Sequence, residues 1–186
     1  GTSIGGGTGG VGFGTALGDG GSATVRISGN AQLLAGSIGG GSTNSRNHGS
    51  LGYAKIDISG EPTIQGQFMM KKADDPCTFK MNGGTINNAQ TLESVPGDPT
   101  KDKDHYNFLQ YNGGALCMID ETAVADIYKG SIYGSKARLD SNGEQGKGGA
   151  VYMSGGTFTM TGGTIGDSEH PNVADSDGGA VYIDKP

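Results

Sequence analysis

The sequence predicts an all-β protein, a solenoid of about five stacked coils with three short parallel strands in each coil. Three observations lead to this fold class. Glycine accounts for 38 of the 186 residues, short runs of alternating apolar and polar residues lie between the glycines, and the same motifs recur in one order. Short strands separated by turn residues are typical of all-β folds. Recurring motifs with variable loops between them are typical of solenoids.

Three sequence elements define the repeat. The first is GGAL at 113–116 and GGAVY at 148–152 and 178–182, with a weaker relative, GGVGF, at 9–13. The second is a short strand that ends in a small polar residue and glycine: TVRISG at 24–29, TFKMNG at 78–83 and TFTMTG at 157–162. The third is a small residue followed by isoleucine, at 3–4, 37–38, 85–86, 131–132 and 164–165. Their order predicts coils at 9–51, 52–112, 113–147 and 148–177, with partial coils at 1–8 and 178–186, all in one domain spanning 1–186.

The glycine pairs are predicted to form the corners of each coil, because glycine adopts positive φ at the lowest cost. Between the corners, equivalent side chains of successive coils should stack in columns about 4.8 Å apart. The predicted inward columns are Ile4–Ile38–Ile86–Ile132–Ile165, Val25–Phe79–Ala125–Phe158 and Ile27–Met81–Ile127–Met160.

The first strand of each coil gives a less regular pattern. Residues 54–58 are taken as this strand in the second coil, with Ala54, Ile56 and Ile58 pointing inward. Carried to later coils, this parity turns Ala115, Cys117, Ala150, Tyr152, Ala180 and Tyr182 inward. It leaves an apolar stripe facing outward: Leu116, Met118, Val151, Met153, Val181 and Ile183. Either the segment 87–112 covers this stripe, or the stripe contacts a partner. Cys77 and Cys117 would then be buried thiols, or a disulfide if their Cα atoms lie within about 7 Å.

Two segments are predicted to be insertions, 61–76 and 87–112, because the strand motifs are interrupted there. Variable loops on a rigid scaffold commonly carry recognition. Within the second insertion, Tyr106, Phe108 and Tyr111 are candidate ligand-binding residues that could stack on sugar rings. The alternative is that these aromatic side chains pack onto the strands.

The charge pattern bears on partners and metals. The net charge of −6 argues against nucleic acid and anionic membranes as partners, and no apolar stretch approaches the roughly 20 residues of a membrane helix. The loop 166–177 carries four carboxylates that could bind Ca²⁺ through their oxygens: Asp167, Glu169, Asp175 and Asp177. The alternative is that this loop is a solvated surface loop without a metal. The same alternatives hold for Asp98, Asp102 and Asp104.

Catalysis is not expected. Glycoside hydrolysis needs a suitably spaced carboxylate pair. The outward acids on strands are Asp57 and Asp126, expected on different columns, with Asp120 near a corner. No catalytic residue is therefore assigned.

The motifs GGAL at 113–116 and GGAV at 148–151 and 178–181, with FKMN at 79–82, resemble the GGA[ILV] and FxxN repeats of polymorphic outer-membrane proteins and related right-handed parallel β-helix surface proteins. The phrase GGTFTMTGGTIGD is similar to repeats of large adhesin-like surface proteins from gut bacteria. The resemblance implies a right-handed β-helix that is secreted or displayed on a bacterial cell surface and used in adhesion. It implies no catalytic residues.

Three functions follow as hypotheses. The leading one is a non-catalytic adhesin-like segment whose loops bind a host or microbial surface glycan or protein. The second is a β-helical polysaccharide lyase or glycoside hydrolase, and the third is a stalk without a ligand. Both ends of the chain are expected to fall inside a coil and to leave strand edges open. The chain is accordingly interpreted as part of a longer solenoid, whose adjacent coils or domains it contacts, or as one that stacks on another chain.

Overall fold

The structure is a computed structural model that describes residues 3–5, 22–39, 53–70, 75–91, 111–140 and 143–184. These residues form thirteen strands and no helix, so the predicted all-β class is confirmed. Eleven strands make one curled parallel sheet, and two make a small second sheet. The strands are β1 (Ser3–Gly5), β2 (Ala23–Ile27), β3 (Gln32–Gly39), β4 (Ala54–Met70), β5 (Thr78–Asn87), β6 (Leu116–Met118), β7 (Val124–Tyr133), β8 (Lys136–Ala137), β9 (Val151–Met153), β10 (Thr157–Met160), β11 (Thr164–Ile165), β12 (Val173–Ala174) and β13 (Val181–Ile183).

The large sheet consists of three ladders of register-paired segments. The first ladder joins β2, the start of β4, the start of β5, the start of β7, and β10. The second joins the start of β3, the middle of β4, the end of β5, the end of β7, and β11. The third joins β1, the end of β3, the end of β4, β6, β9 and β13. The chain thus visits the ladders repeatedly, and one segment from each ladder is called a rung below. β8 and β12 form the second sheet.

The core-facing columns of the first ladder are those predicted, each with one more member. Ile56 lies between Val25 and Phe79, and Ile58 lies between Ile27 and Met81. Ala125 with Phe158 and Ile127 with Met160 complete the two columns. These columns could be predicted from the sequence because their strands show strict period-2 alternation, and successive strand residues point to opposite faces of a sheet.

Ala54, Ile56 and Ile58 point inward as predicted, but the strand type assigned to 54–58 and the insertion assigned to 61–70 were wrong. Ala54–Ile58 pairs with Ala23–Ile27 in the first ladder and is not a strand of the GGA type. Residues 61–70 are not an insertion, because β4 runs through all three ladders and ends beside β6, with Phe68 opposite Leu116. The predicted coil at 52–112 therefore contains two passes of the chain. GQFMM at 66–70 occupies the place of a GGA motif without its glycine pair, so the extra pass was missed.

The predicted isoleucine column is in fact two columns. Ile4 and Ile38 lie in the third ladder, where Phe68 continues their column. Ile86, Ile132 and Ile165 lie in the second ladder, with Ile64 beside Ile86. A small residue followed by isoleucine occurs in both ladders, so the motif alone does not distinguish them.

In the third ladder Ala115 and Ala150 belong to the core as predicted, but the predicted parity of the residues that follow them was wrong. Leu116, Met118, Val151 and Met153 are buried in the main core, whereas Cys117 and Tyr152 face the other side of the sheet. The reason lies at the corner, where the N–H groups of Ala115 and Leu116 both donate to the carbonyl of Ala150, at 2.9 and 2.8 Å. Both Ala115 and Leu116 belong to the core. The alternation therefore starts one residue later than a simple count predicts.

Candidate functional site

The outer side of the third ladder carries a small cluster that is separate from the main core. Met69, Cys117 and Tyr152 form one column there and are buried, and Ile119 and Tyr182 pack against them. Tyr182 continues the column beside Tyr152 and is half-buried. Together with Lys147 and Asp184, which contact the two tyrosines, these side chains are called the tyrosine face.

The two tyrosines stack along the ladder. Their ring centroids are 6.0 Å apart and the two ring planes are nearly parallel, at an angle of 3°. Such a pair buries apolar area while each hydroxyl keeps a polar partner. The Tyr152 hydroxyl donates to Asp184 Oδ2 at 2.9 Å. Burial, and then this hydrogen bond, raise the pKa of Tyr152 above its ordinary value, so the hydroxyl remains a donor.

Lys147 adds a cation to the tyrosine face. Its Nζ donates to the Tyr182 hydroxyl at 3.2 Å and lies 4.7 Å from the centroid of the same ring. This distance is within the range of a cation–π contact. The hydrogen bond to Tyr182 raises the pKa of Lys147. The face thus presents an aromatic ring, an ammonium group and a carboxylate within one short stretch of surface.

A buried polar network holds the backbone of Lys147. The side-chain oxygen of Asn112 accepts from the Lys147 N–H at 2.9 Å, and its Nδ2 donates to Gln145 Oε1. Gln67 Nε2 donates to the carbonyls of Asn112 and Gly113, both at 2.9 Å. These hydrogen bonds fix the backbone from which the Lys147 side chain extends.

Among the predicted aromatic ligand-binding residues, Tyr111 is buried directly before this corner. Tyr106 and Phe108 lie outside the described residues. Sequence reasoning missed Tyr152, Tyr182, Lys147 and Asp184, because the predicted parity turned both tyrosines inward. The signal that could have found them is the identical tyrosine of the two GGAVY motifs, 30 residues apart.

Three of the four acidic residues of the predicted calcium loop have partners within the protein. Asp167 Oδ1 accepts from the backbone N–H of His170 and Glu169, and the His170 bond is the main reason that the pKa of Asp167 is lowered. Asp175 pairs with Lys136 at 3.0 Å, and Asp177 accepts from the Ser176 hydroxyl. Glu169 is exposed. Within the described segments, no three His, Cys, Asp or Glu side chains are grouped to hold a metal ion. Asp98, Asp102 and Asp104 lie outside those segments.

The outward acids of the strands lie in one column, not in different columns as predicted. Along the first ladder, Arg26, Asp57, Lys80 and Asp126 are register neighbours. Cations and anions alternate there about 4.8 Å apart, so each carboxylate is opposite a cation. Asp120 lies elsewhere, at a corner, where its Oδ1 accepts from the N–H and hydroxyl of Thr122. This arrangement balances charge and does not pair two carboxylates.

The two cysteines are reduced thiols, both fully buried. Cys77 belongs to the main core and Cys117 to the tyrosine face, so the two thiols lie on different sides of the sheet. The prediction that Cys117 points inward was therefore wrong. The Cys77 sulfur accepts from the Ala54 N–H at 3.4 Å. Burial raises the pKa of the Cys77 thiol, although the Ala54 hydrogen bond opposes this, and the nearby Asp120 raises the pKa further.

This thiol predicts a loss of stability at alkaline pH. Because the pKa of Cys77 is raised in the folded state, the protonated thiol contributes to the free energy of unfolding. This contribution is fully present below the ordinary pKa of 9.0 and is lost as pH rises through the folded-state pKa. Between pH 9 and 10 the free energy of unfolding should fall by at most about 1 kcal/mol from this group, since the unfolded-state thiol is only half deprotonated at pH 9. Urea unfolding at pH 8, 9 and 10 measures the fall, which should be smaller in Cys77→Ala. Equal falls in both proteins would contradict the assignment, and their curves should run parallel between pH 7 and 8.

No helix in the described part of the chain is long and apolar enough to cross a membrane. Comparisons with protein-family models, with curated proteins and with solved structures each found no match.

Proposed function

We propose that the curled sheet is the wall of a right-handed parallel β-helix of about five coils, and that the protein is a non-catalytic, adhesin-like scaffold. In this proposal it acts outside the cell or on a bacterial surface, and binds a surface carbohydrate or protein through the tyrosine face. The observation that carries the proposal is the Tyr152–Tyr182 stack with Lys147 and Asp184 beside it. An aromatic ring with a few convergent polar groups is a common composition of binding sites.

The side chains of the tyrosine face are held in place, and this supports a role in ligand binding. Tyr152 is fixed by stacking and by Asp184, and Lys147 is fixed at its backbone by Asn112. A ligand that contacts pre-ordered side chains loses less affinity to their immobilisation. Half-buried Tyr182 is the member that a ligand would reach, since Tyr152 lies beneath the surface.

A glycan microarray and a panel of surface proteins test the proposal with three proteins. The original chain should bind a subset of ligands, and Tyr182→Ala should weaken that binding at least tenfold, about 1.4 kcal/mol, as expected for an aromatic hot spot. Tyr128→Ala is the matched control, because Tyr128 is an exposed tyrosine on β7 outside the tyrosine face. It should bind like the original chain.

A fourth protein separates the tyrosine face from the long segment that sequence analysis favoured for recognition. Residues 92–110 are replaced by a Gly-Asn linker, which preserves Asn87 opposite Tyr133 and the Asn112 corner. Loss of binding in this variant alone would move the site to that segment. If no ligand binds the original chain, the binding proposal fails and the stalk hypothesis is preferred.

A further inference from the structure

The last described rung exposes residues that the rung before it buries. Val181 and Ile183 are 38% and 62% exposed, whereas their register partners Val151 and Met153 are 0% and 8% exposed. In the first ladder, Met160 is 37% exposed beside Ile127 at 2%. All these side chains belong to core-facing columns. They are exposed because no described rung covers them, so this end of the core is an open apolar surface.

The last rung repeats the sequence GGAV, whose backbone N–H groups donate to the following rung one repeat earlier. The N–H groups of Gly148 and Gly149 donate to the carbonyls of Asp177 and Gly178, and those of Ala150 and Val151 both donate to Ala180. GGAV recurs at 178–181. Within the described residues, β10, β11, β12 and β13 each pair along one edge only. An open row of strand N–H and C=O groups is a template for another strand.

A second copy of the chain fits this edge poorly. The third ladder has six described segments and the first has five, since β1 precedes β2 by one rung. Stacking a copy so that its β2 adjoins β10 would place its β1 at the level of β13. Joining two of these ends directly would bring like charges together, because residues 148–184 contain five acidic residues and no Lys or Arg.

We propose that the edge formed by β10, β11, β12 and β13 is a docking surface for one further coil of the same GGA-type repeat, which enters parallel and in register. Such a coil adds one segment to every ladder, places apolar side chains over Met160, Val181 and Ile183, and supplies carbonyls to the N–H groups of 178–181. It continues an interface that the structure already contains between 148–153 and 178–183. Such a coil would also cover Tyr182 as Tyr182 covers Tyr152, so docking at this edge and ligand binding at the tyrosine face would compete for Tyr182.

The test supplies the occupant covalently. A copy of residues 155–184 is added after Asp184, which keeps the 30-residue spacing of the two GGAVY motifs. In the added copy the five carboxylates are changed to their amides, so that like charges are not stacked. The matched control has the same length, with the copied Phe158, Met160, Ile165, Val181 and Ile183 changed to serine.

Amide hydrogen exchange of residues 178–183 in the original rung is the readout. The extended chain should slow exchange there at least tenfold relative to the serine control, and its thermal midpoint should rise. Equal exchange in the two extended chains would overturn the proposal. So would protection of the same amides in the unextended chain that increases with protein concentration, because a second copy would then be the occupant.

Discussion

Replacing Phe79 by alanine should lower the free energy of unfolding by about 3–5 kcal/mol, the usual cost of removing a buried phenylalanine. Phe79 is fully buried in the first ladder, and its ring meets that of Phe68 edge to face, with centroids 5.1 Å apart at 67°. Phe68 is in the third ladder, so the pair joins two ladders across the core. Truncation removes this contact and leaves a cavity that the surrounding strands fill only partly.

The control is Phe158→Ala, which removes the same atoms from the same core-facing column at the last rung. Phe158 is half-exposed there, so its loss should be well below that of Phe79. Urea unfolding followed by circular dichroism measures both variants. If the two losses are equal, the column does not differ in packing along the sheet and the interpretation is wrong.

Replacing Gly149 by alanine should destabilise the protein by about 3 kcal/mol, the upper part of the range for overpacking. An added Cβ would lie 2.0 Å from the carbonyl oxygen of Gly179 and 2.6 Å from backbone atoms of Val173. Because these neighbours are backbone atoms, a side-chain rotation cannot relieve the clash. Adjacent rungs would have to separate at this corner.

A matched substitution distinguishes this clash from backbone strain. Gly29 has a φ of +64°, and its added Cβ would meet nothing within 4 Å. Gly29→Ala should therefore cost only about 1–2 kcal/mol, the cost of a left-handed conformation. The thermal midpoint and urea unfolding of the two variants give the comparison. A loss at Gly149 no larger than that at Gly29 would show that the corner has room.

The glycine pair Gly148–Gly149 shows how much of the role of such pairs can be predicted from the sequence. The predicted corner role holds for Gly148, whose φ is +68°. Gly149 is needed for a different reason, the close approach of the next rung, and that distance depends on a residue 30 positions away. Local sequence predicts a turn, but it does not give the separation of two backbones that meet only after folding.

In the candidate site, too, some features can be predicted from the sequence and others depend on the folded structure. The tyrosines of the two GGAVY motifs are visible in the sequence, but their side of the sheet depends on a corner where Ala115 and Leu116 both turn to the core. Lys147 and Asp184 join them only through the register of β9 with β13. The predicted aromatic residue Tyr111 lies beside the site without being part of its surface.

The sequence by itself determined the all-β class, the parallel stacking and the columns of the first ladder, because period-2 alternation and the preference of glycine for corners are local properties. The tertiary structure decided which pass of the chain joins which ladder. It placed residues 54–70 in the sheet, divided the isoleucines between two ladders and turned Tyr152 and Tyr182 outward. The physical reason is that ladder assignment depends on hydrogen bonds between distant segments, and a one-residue change at a corner reverses every side chain that follows.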